Sequence, residues 1–183
     1  MAVPAVERDA WVDRVLGLDD LPADGPDLPT GCVPYLPCPV DTLLRVVDRA
    51  PVRASDVFVD VGSGVGRATT LVHLLTGAPA VGVEIQRGLV VRARELAARL
   101  RLSRVSYVEG DAVELPAALA IGTVFLLYCP FGPERVTRLL SALEPIARAK
   151  AITLGCVDLP LPPCSWLRLE PPLDPALAIH RSA

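Results

Sequence analysis

The sequence predicts an α/β protein built on a doubly wound, mostly parallel sheet with helices on both faces. Three observations predict it. Short apolar runs alternate with helical patterns at the spacing of βαβ units. The runs are rich in β-branched residues and apolar at nearly every position, as in strands buried on both faces. A glycine-rich turn follows the first strand-like run, where such sheets place their ligand loops.

The elements follow in order. Residues 1–30 carry seven acidic and two basic side chains and end among prolines at 22, 26 and 29. Within them Val6, Ala10, Trp11, Val15 and Leu16 recur near helical spacing, and Gly17 supplies a stop. This is either an amphipathic helix docked on the domain or a lid over a site. From Pro39, a helix over 39–50 places Val40, Leu43, Leu44, Val47 and Ala50 on one face. The strand 57–61 (VFVDV) runs into the glycines, and RATTLVHLLTG is a helix closed by Gly77. A second strand, 80–84, precedes the helix QRGLVVRARELAARLRL. A third strand covers 105–111, a fourth 122–130 and a fifth 151–157, with the helix PERVTRLLSALEPIARA between the last two. Two short β-prone stretches, SWLRLE and LAIHRS, finish the chain.

Composition removes several function classes. Of 183 residues, 51% are hydrophobic and 21% charged, which excludes a disordered chain. Aromatics are only 4% and the net charge is −3, which argues against stacking platforms or a basic field for nucleic acid. Five cysteines without a CxxC pair give neither a zinc site nor a disulfide framework. The uncharged run 115–133 is interrupted by Pro116, Gly122 and Pro130 and reads as a helix end, a turn and a buried strand, not a membrane span. Glu7, Arg8 and Asp9 stand where a signal peptide needs apolar residues, so a cytoplasmic location is expected. The arginines at 87, 92, 94, 99, 101 and 104 read as a solvated helix face. His73 and His180 lack companions at metal spacing and read as structural.

Chemistry is expected at the strand tips. The first ends in Asp60-Val61-Gly62-Ser63-Gly64-Val65-Gly66-Arg67. Arg67 breaks the dinucleotide pattern, and no G-K-[ST] follows for a P-loop. An acid two places before the first glycine suits a ligand with an ammonium group or hydroxyls. Glu84 ends the second strand, 24 residues beyond Asp60, where a carboxylate can accept from both ribose hydroxyls of an adenosine ligand. Glu109-Gly110-Asp111 ends the third, placing a short acid where it could take an adenine amino group. Three such tips in order form one specific signal.

FVDVGSGVGRATTL, VGVEIQ and YVEGDAVELP resemble motifs I, II and III of the class I, seven-β-strand, S-adenosylmethionine-dependent methyltransferases, over residues 34–181. The resemblance implies a seven-stranded sheet whose last strand is antiparallel and inserted between the fifth and sixth. It implies S-adenosylmethionine as cofactor, with Asp60, Gly62, Ser63 and Gly64 at the methionine end. Glu84 and Ile85 would then hold the ribose, and Asp111 and Ala112 the adenine. Tyr35-Leu36-Pro37-Cys38-Pro39 resembles the Tyr-x-Pro-Thr-Pro entry segment of several small members, with Cys38 in place of Thr and Tyr35 closing the cofactor site.

The fourth strand tip, Leu127-Tyr128-Cys129-Pro130-Phe131, would carry the acceptor side, with Tyr128 and Phe131 as the catalytic candidates and Tyr128 also touching cofactor. VFLLYCPFGPERV looks most like the lysine methyltransferases of the disruptor-of-telomeric-silencing type and their compact bacterial relatives, although Leu127 and Tyr128 replace a paired Asn. Cys129 precedes its proline, the reverse of the nucleophilic Pro-Cys order, and reads as a small buried residue. These residues imply a methyltransferase acting on a protein lysine, or else on a small molecule beneath a roof formed by the N-terminal segment. A non-catalytic cofactor-binding module is the reading from another class. The division expected is a helix and Pro-rich segment, 1–34, either a lid or a docked structural piece, and a methyltransferase domain, 35–183. The expected partner is a protein or small-molecule methyl acceptor, with neither membrane nor metal.

Overall fold

A computed structural model describes residues 3–18, 24–25, 28–172, 174 and 176–183. Pro22 and Pro26 of the proline-rich segment lie outside the described residues. The chain runs α1 (Arg8–Leu16), α2 (Val40–Arg49), β1 (Phe58–Val61), α3 (Arg67–Thr76), β2 (Ala80–Glu84) and α4 (Arg87–Arg99). It continues β3 (Val105–Glu109), α5 (Pro116–Leu119), β4 (Val124–Tyr128), α6 (Pro133–Ala149), β5 (Thr153–Val157), β6 (Leu167–Glu170) and β7 (Leu177–Ser182).

The seven strands form one sheet in the order β3-β2-β1-β4-β5-β7-β6. β1 pairs in parallel with β2 and β4, and β4 with β5, while β7 is antiparallel to both β5 and β6. The last strand is thus inserted between the fifth and sixth, as the family resemblance implied. The strand order reverses direction at β1 and β4, so their carboxyl ends open the crevice in which sheets of this kind bind ligands.

Alternation along each strand divides the core in two. Phe58 of β1 and Val124 and Leu126 of β4 pack with α2, α3 and α4. Val59, Val61, Phe125 and Leu127 pack with α5 and α6 on the opposite face. This is why the strands read as continuous apolar runs. Asp60 shares the face of Phe58 and is therefore directed toward α3.

α1 ends where expected, with Gly17 in the left-handed region at φ 59°. Its buried face differs from expectation. Val12, Leu16 and Leu18 are buried, whereas Val6, Trp11 and Val15 are 93%, 48% and 52% exposed. The helix is short, and polar anchoring sets its orientation. Arg67, the first residue of α3, is 3% exposed; it donates from Nε to Asp13 Oδ1 at 2.5 Å and from Nη2 to Asp9 Oδ1 at 2.7 Å. Its Nη1 reaches the Cys38 carbonyl at 2.5 Å, and Asp9 Oδ1 also accepts from the Val40 amide at 3.0 Å. A buried guanidinium must be paired, so α1 turns its carboxylates inward and leaves Trp11 outside. Desolvation acts to raise the Asp9 carboxyl, but the Arg67 hydrogen bond and charge hold it below the ordinary value.

The arginines of α4 also differ from a purely solvated face. Arg94 donates to the Tyr107 carbonyl, Arg99 to the Leu16 carbonyl, and Arg104, just beyond the helix, to the Gly77 carbonyl. They cap backbone acceptors instead of forming an open cationic field. No helix among the described residues is long and apolar enough to cross a membrane.

Candidate functional site

A cavity opens at the tips of β1, β2, β3 and β4. It is lined by Tyr35, Gly62, Glu84, Ile85, Asp111, Ala112, Tyr128 and Phe131, eight of the residues singled out from sequence. The strand tips bring them together because parallel strands end on one edge of the sheet.

The glycine turn folds over the end of β2. The amides of Gly62 and Ser63 both donate to the Val83 carbonyl, at 2.8 and 3.1 Å. Gly62 has φ 81°, and a Cβ there would stand 3.2 Å from the Pro130 Cβ. Gly64 has φ 54°, and a Cβ there would overlap the Tyr35 ring. Both positions therefore require glycine, for backbone conformation and for space.

Glu84 is buried and doubly held. Its Oε2 accepts from the Gly64 amide at 2.9 Å and its Oε1 from the Gln86 amide at 2.8 Å. Burial pushes its carboxyl up, opposed by these backbone donors. At the β3 tip, Asp111 Oδ1 accepts from the Val113 amide at 3.1 Å, while Oδ2 pairs with Arg135 at 2.5 Å.

Three predicted cofactor residues do not line the cavity. Asp60 is fully enclosed on the α3 side, accepting from the Thr69 hydroxyl at 2.7 Å. Burial pushes its carboxyl up to about 6, against the Thr69 hydrogen bonds and with the Glu84 charge adding to the rise. Ser63 turns its hydroxyl toward Gly82 of β2, where it is buried without a partner. Gly64 lies under the Tyr35 ring. Tyr35 in turn has a buried, unpartnered hydroxyl, and burial raises it far above the ordinary tyrosine range. A buried orphan hydroxyl beside a glycine loop invites a polar ligand group.

The acceptor-side tip is mostly apolar. Tyr128 is half-buried, and burial pushes its hydroxyl up, so at neutral pH it keeps its proton. Cys129, expected to be buried, is only partly so and lines the cavity; it stands at φ 38°, where β4 ends, with its thiol 3.2 Å from the Asp158 carbonyl. Burial raises this thiol too, which suits a structural cysteine and not a nucleophile.

Sequence reasoning missed part of the wall. Leu28, Cys32, Val33, Pro34, Gln86 and Arg135 also line the cavity. The chain at 31–33 runs beside 130–132: the Val33 amide donates to the Pro130 carbonyl at 3.3 Å and the Gly132 amide to the Gly31 carbonyl at 2.8 Å. Nothing local in sequence marks this pairing, because the two stretches are about a hundred residues apart. α1, by contrast, is anchored by Arg67 at the start of α3. The wall comes from the residues after it.

The enclosed space is about 70 Å³, well below the roughly 300–1,000 Å³ of ligand pockets. The donor and acceptor set fits an adenosine-bearing ligand: paired acids at two strand tips, an apolar rim, and the Tyr35 hydroxyl without a partner. The volume does not, unless the 28–36 wall moves outward. Among the described residues no three His, Cys, Asp or Glu side chains group as metal ligands.

Residues 37–107 match the family model described as histone methylation protein DOT1. An RNA methyltransferase from Salinibacter ruber, solved with S-adenosyl-L-homocysteine, is 26% identical with a TM-score of 0.62, over 80% of this chain and 92% of that one. The yhhF protein of Escherichia coli, described as a candidate methyltransferase, is 17% identical with a TM-score of 0.64, over 88% and 89%. A Staphylococcus aureus protein, described as a candidate caffeoyl-CoA O-methyltransferase, is 10% identical with a TM-score of 0.63, over 99% and 93%. No protein of curated function matches the sequence. The fold is that of class I methyltransferases, and with the family-model match it makes the chain an enzyme of the methyltransferase class.

Proposed function

We propose that the protein is an S-adenosylmethionine-dependent methyltransferase that N-methylates a protein lysine. The observation that carries this reading is one cavity lined by Glu84 and Asp111 on one side and Tyr128 and Phe131 on the other. Bound S-adenosylmethionine would supply a sulfonium methyl for in-line transfer. Glu84, held rigid by two backbone amides, would accept the ribose hydroxyls, and Asp111 with Ala112 would flank the adenine. Ile85 would pack on the ribose side, with Tyr35 closing over the glycine loop. Asp60, Ser63 and Gly64 would then shape that loop from behind.

Tyr128 and Phe131 would orient the acceptor amine and exclude water. With its proton retained, Tyr128 accepts an N–H of the acceptor amine on its hydroxyl oxygen, leaving the nitrogen lone pair free to attack, or packs on the acceptor, and does not act as a base. An amine that has lost its proton to solvent needs no base at the tip, which suits lysine. The match over 37–107 to a histone methylation family supports this acceptor class, although it stops short of β4.

A small-molecule acceptor is the second reading, favoured by the way residues 28–36 wall the cavity. In both readings residues 1–34 form an accessory segment, helix and wall, on a methyltransferase domain over 35–183. Labelled methyl transfer onto a host lysate, separated by size, distinguishes them. Label on protein that survives hydrolysis as methyl-lysine supports the proposal. Label confined to small molecules overturns it.

A further inference from the structure

We infer that Arg135 is a positioning residue that holds Phe131, the apolar wall of the acceptor subsite, from the cofactor side of the cavity. The inference rests on the methyltransferase reading above and assigns to it a residue outside the sequence motifs. Arg135 lies in the first turn of α6 and lines the cavity. Its Nη2 is 2.5 Å from Asp111 Oδ2, and its guanidinium carbon is 5.5 Å from the centroid of the Phe131 ring. One cation therefore touches both the β3 tip and the β4 tip. Its Cδ would be 3.3 Å from a Cβ on Gly31, so the stem also packs on the 31–33 stretch.

The wall needs such a strut. Cys129 stands in the left-handed region, which ends the extended course of β4. Pro130 has no amide hydrogen to continue the ladder. Beyond the strand, 130–132 is tied by the Val33 and Gly132 amides, which fix the backbone, and the Phe131 ring is 7% exposed, packed into the core cluster on the α6 side. The core holds one side of the ring, and the guanidinium over its face, on the cavity side, sets where that face stands. Asp111 fixes the guanidinium in turn, accepting from Nη2 while its other oxygen caps Val113. Arg135 Nε is buried without a partner, so the group is held by Asp111 and the ring and not by a full set of hydrogen bonds.

The test measures S-adenosylhomocysteine affinity by calorimetry and methyl transfer as a function of added lysate acceptor, on the same preparations. Arg135→Met keeps the stem and removes the cation. It is expected to lower transfer efficiency about tenfold and cofactor affinity by a smaller factor, the latter because Asp111 loses its partner. Phe131→Leu is expected to cost a similar factor, and the double variant no more than either alone, because both remove one contact. Arg135→Lys keeps the charge and the Asp111 partner but lacks the flat face, so an intermediate loss of about threefold is expected. If Arg135→Met fails to fold, wild-type transfer by Arg135→Lys overturns the inference. Equal losses in binding and transfer, or multiplicative effects in the double variant, overturn it as well. A parent protein that neither binds S-adenosylhomocysteine nor transfers methyl overturns the functional reading itself, whereas an active parent with indifferent Arg135 variants overturns this inference alone.

Discussion

Asp60 carries a stability that depends on pH in an unusual direction, and Asp60→Asn isolates it. The carboxyl is 3% exposed, accepts from Thr69, and is pushed from the ordinary 3.8 up to about 6 by desolvation, with Glu84 adding to the rise. A carboxyl whose folded value lies above its unfolded value binds its proton more tightly in the native state. Between 3.8 and about 6 the native state therefore holds more protons than the unfolded chain, and stability falls as pH rises. At about 1.36 kcal/mol per pH unit, the loss across that window is on the order of 3 kcal/mol, complete above it. Asn cannot ionise. Its amide adds a constant cost or gain, but that offset cancels when the variant is compared with the parent across pH. The stability difference, variant minus parent, should grow by about 2–3 kcal/mol in favour of the variant between pH 4 and pH 7 and then level off. Urea denaturation at half-unit pH steps measures it. A difference that stays flat through the window would show that Asp60 is not an ionising group in an enclosed site, and the reasoning fails.

Other outcomes are as definite. Glu84→Ala removes the acceptor that holds the Gly64 and Gln86 amides, and S-adenosylhomocysteine affinity should weaken by about 2–4 kcal/mol in calorimetry; unchanged affinity would take Glu84 out of the site. Gly64→Ala places a methyl on the Tyr35 ring at a left-handed φ, so cofactor binding should fall at least about tenfold, and tolerance of Ala would mean that the ring does not rest there. Arg67→Met strands Asp9 and Asp13, but both carboxylates are partly exposed, so the loss in denaturation should be about 2 kcal/mol and not the full cost of a buried pair. Limited proteolysis should then cut first in residues 3–18, and an unchanged cleavage order would mean that α1 is held by its apolar face instead.

The architecture was legible because each strand tip announced itself. A sheet covered on both faces demands unbroken apolar runs, and the turn after β1 demands glycine at 62 and 64. Those demands act within a few residues, so they are written locally. β2 and α6 match the expected ranges residue for residue, β6 and β7 fall at the two expected stretches, and the other strands differ only by trimmed ends. Glu84, Asp111, Tyr128 and Phe131 were legible as a set for the same reason, since parallel strands carry their tips to one edge.

Other features depended on contacts between distant parts of the chain. The buried face of α1 was misread because Arg67, more than fifty residues on, pulls Asp9 and Asp13 inward and outweighs a weak apolar pattern. Asp60 stands among the site motifs, yet the two-residue period of β1 sends its carboxylate to Thr69 and away from the cavity. Arg135 gave no local signal. Its meaning comes from Asp111 and Phe131 meeting at one side chain across the crevice. Sequence alone determines which backbone segments can be strand, turn or helix, because those preferences are local and steric. Where a charged side chain points is decided by whichever partner the tertiary fold brings within hydrogen-bonding reach, because a buried charge without one costs more than any local pattern supplies.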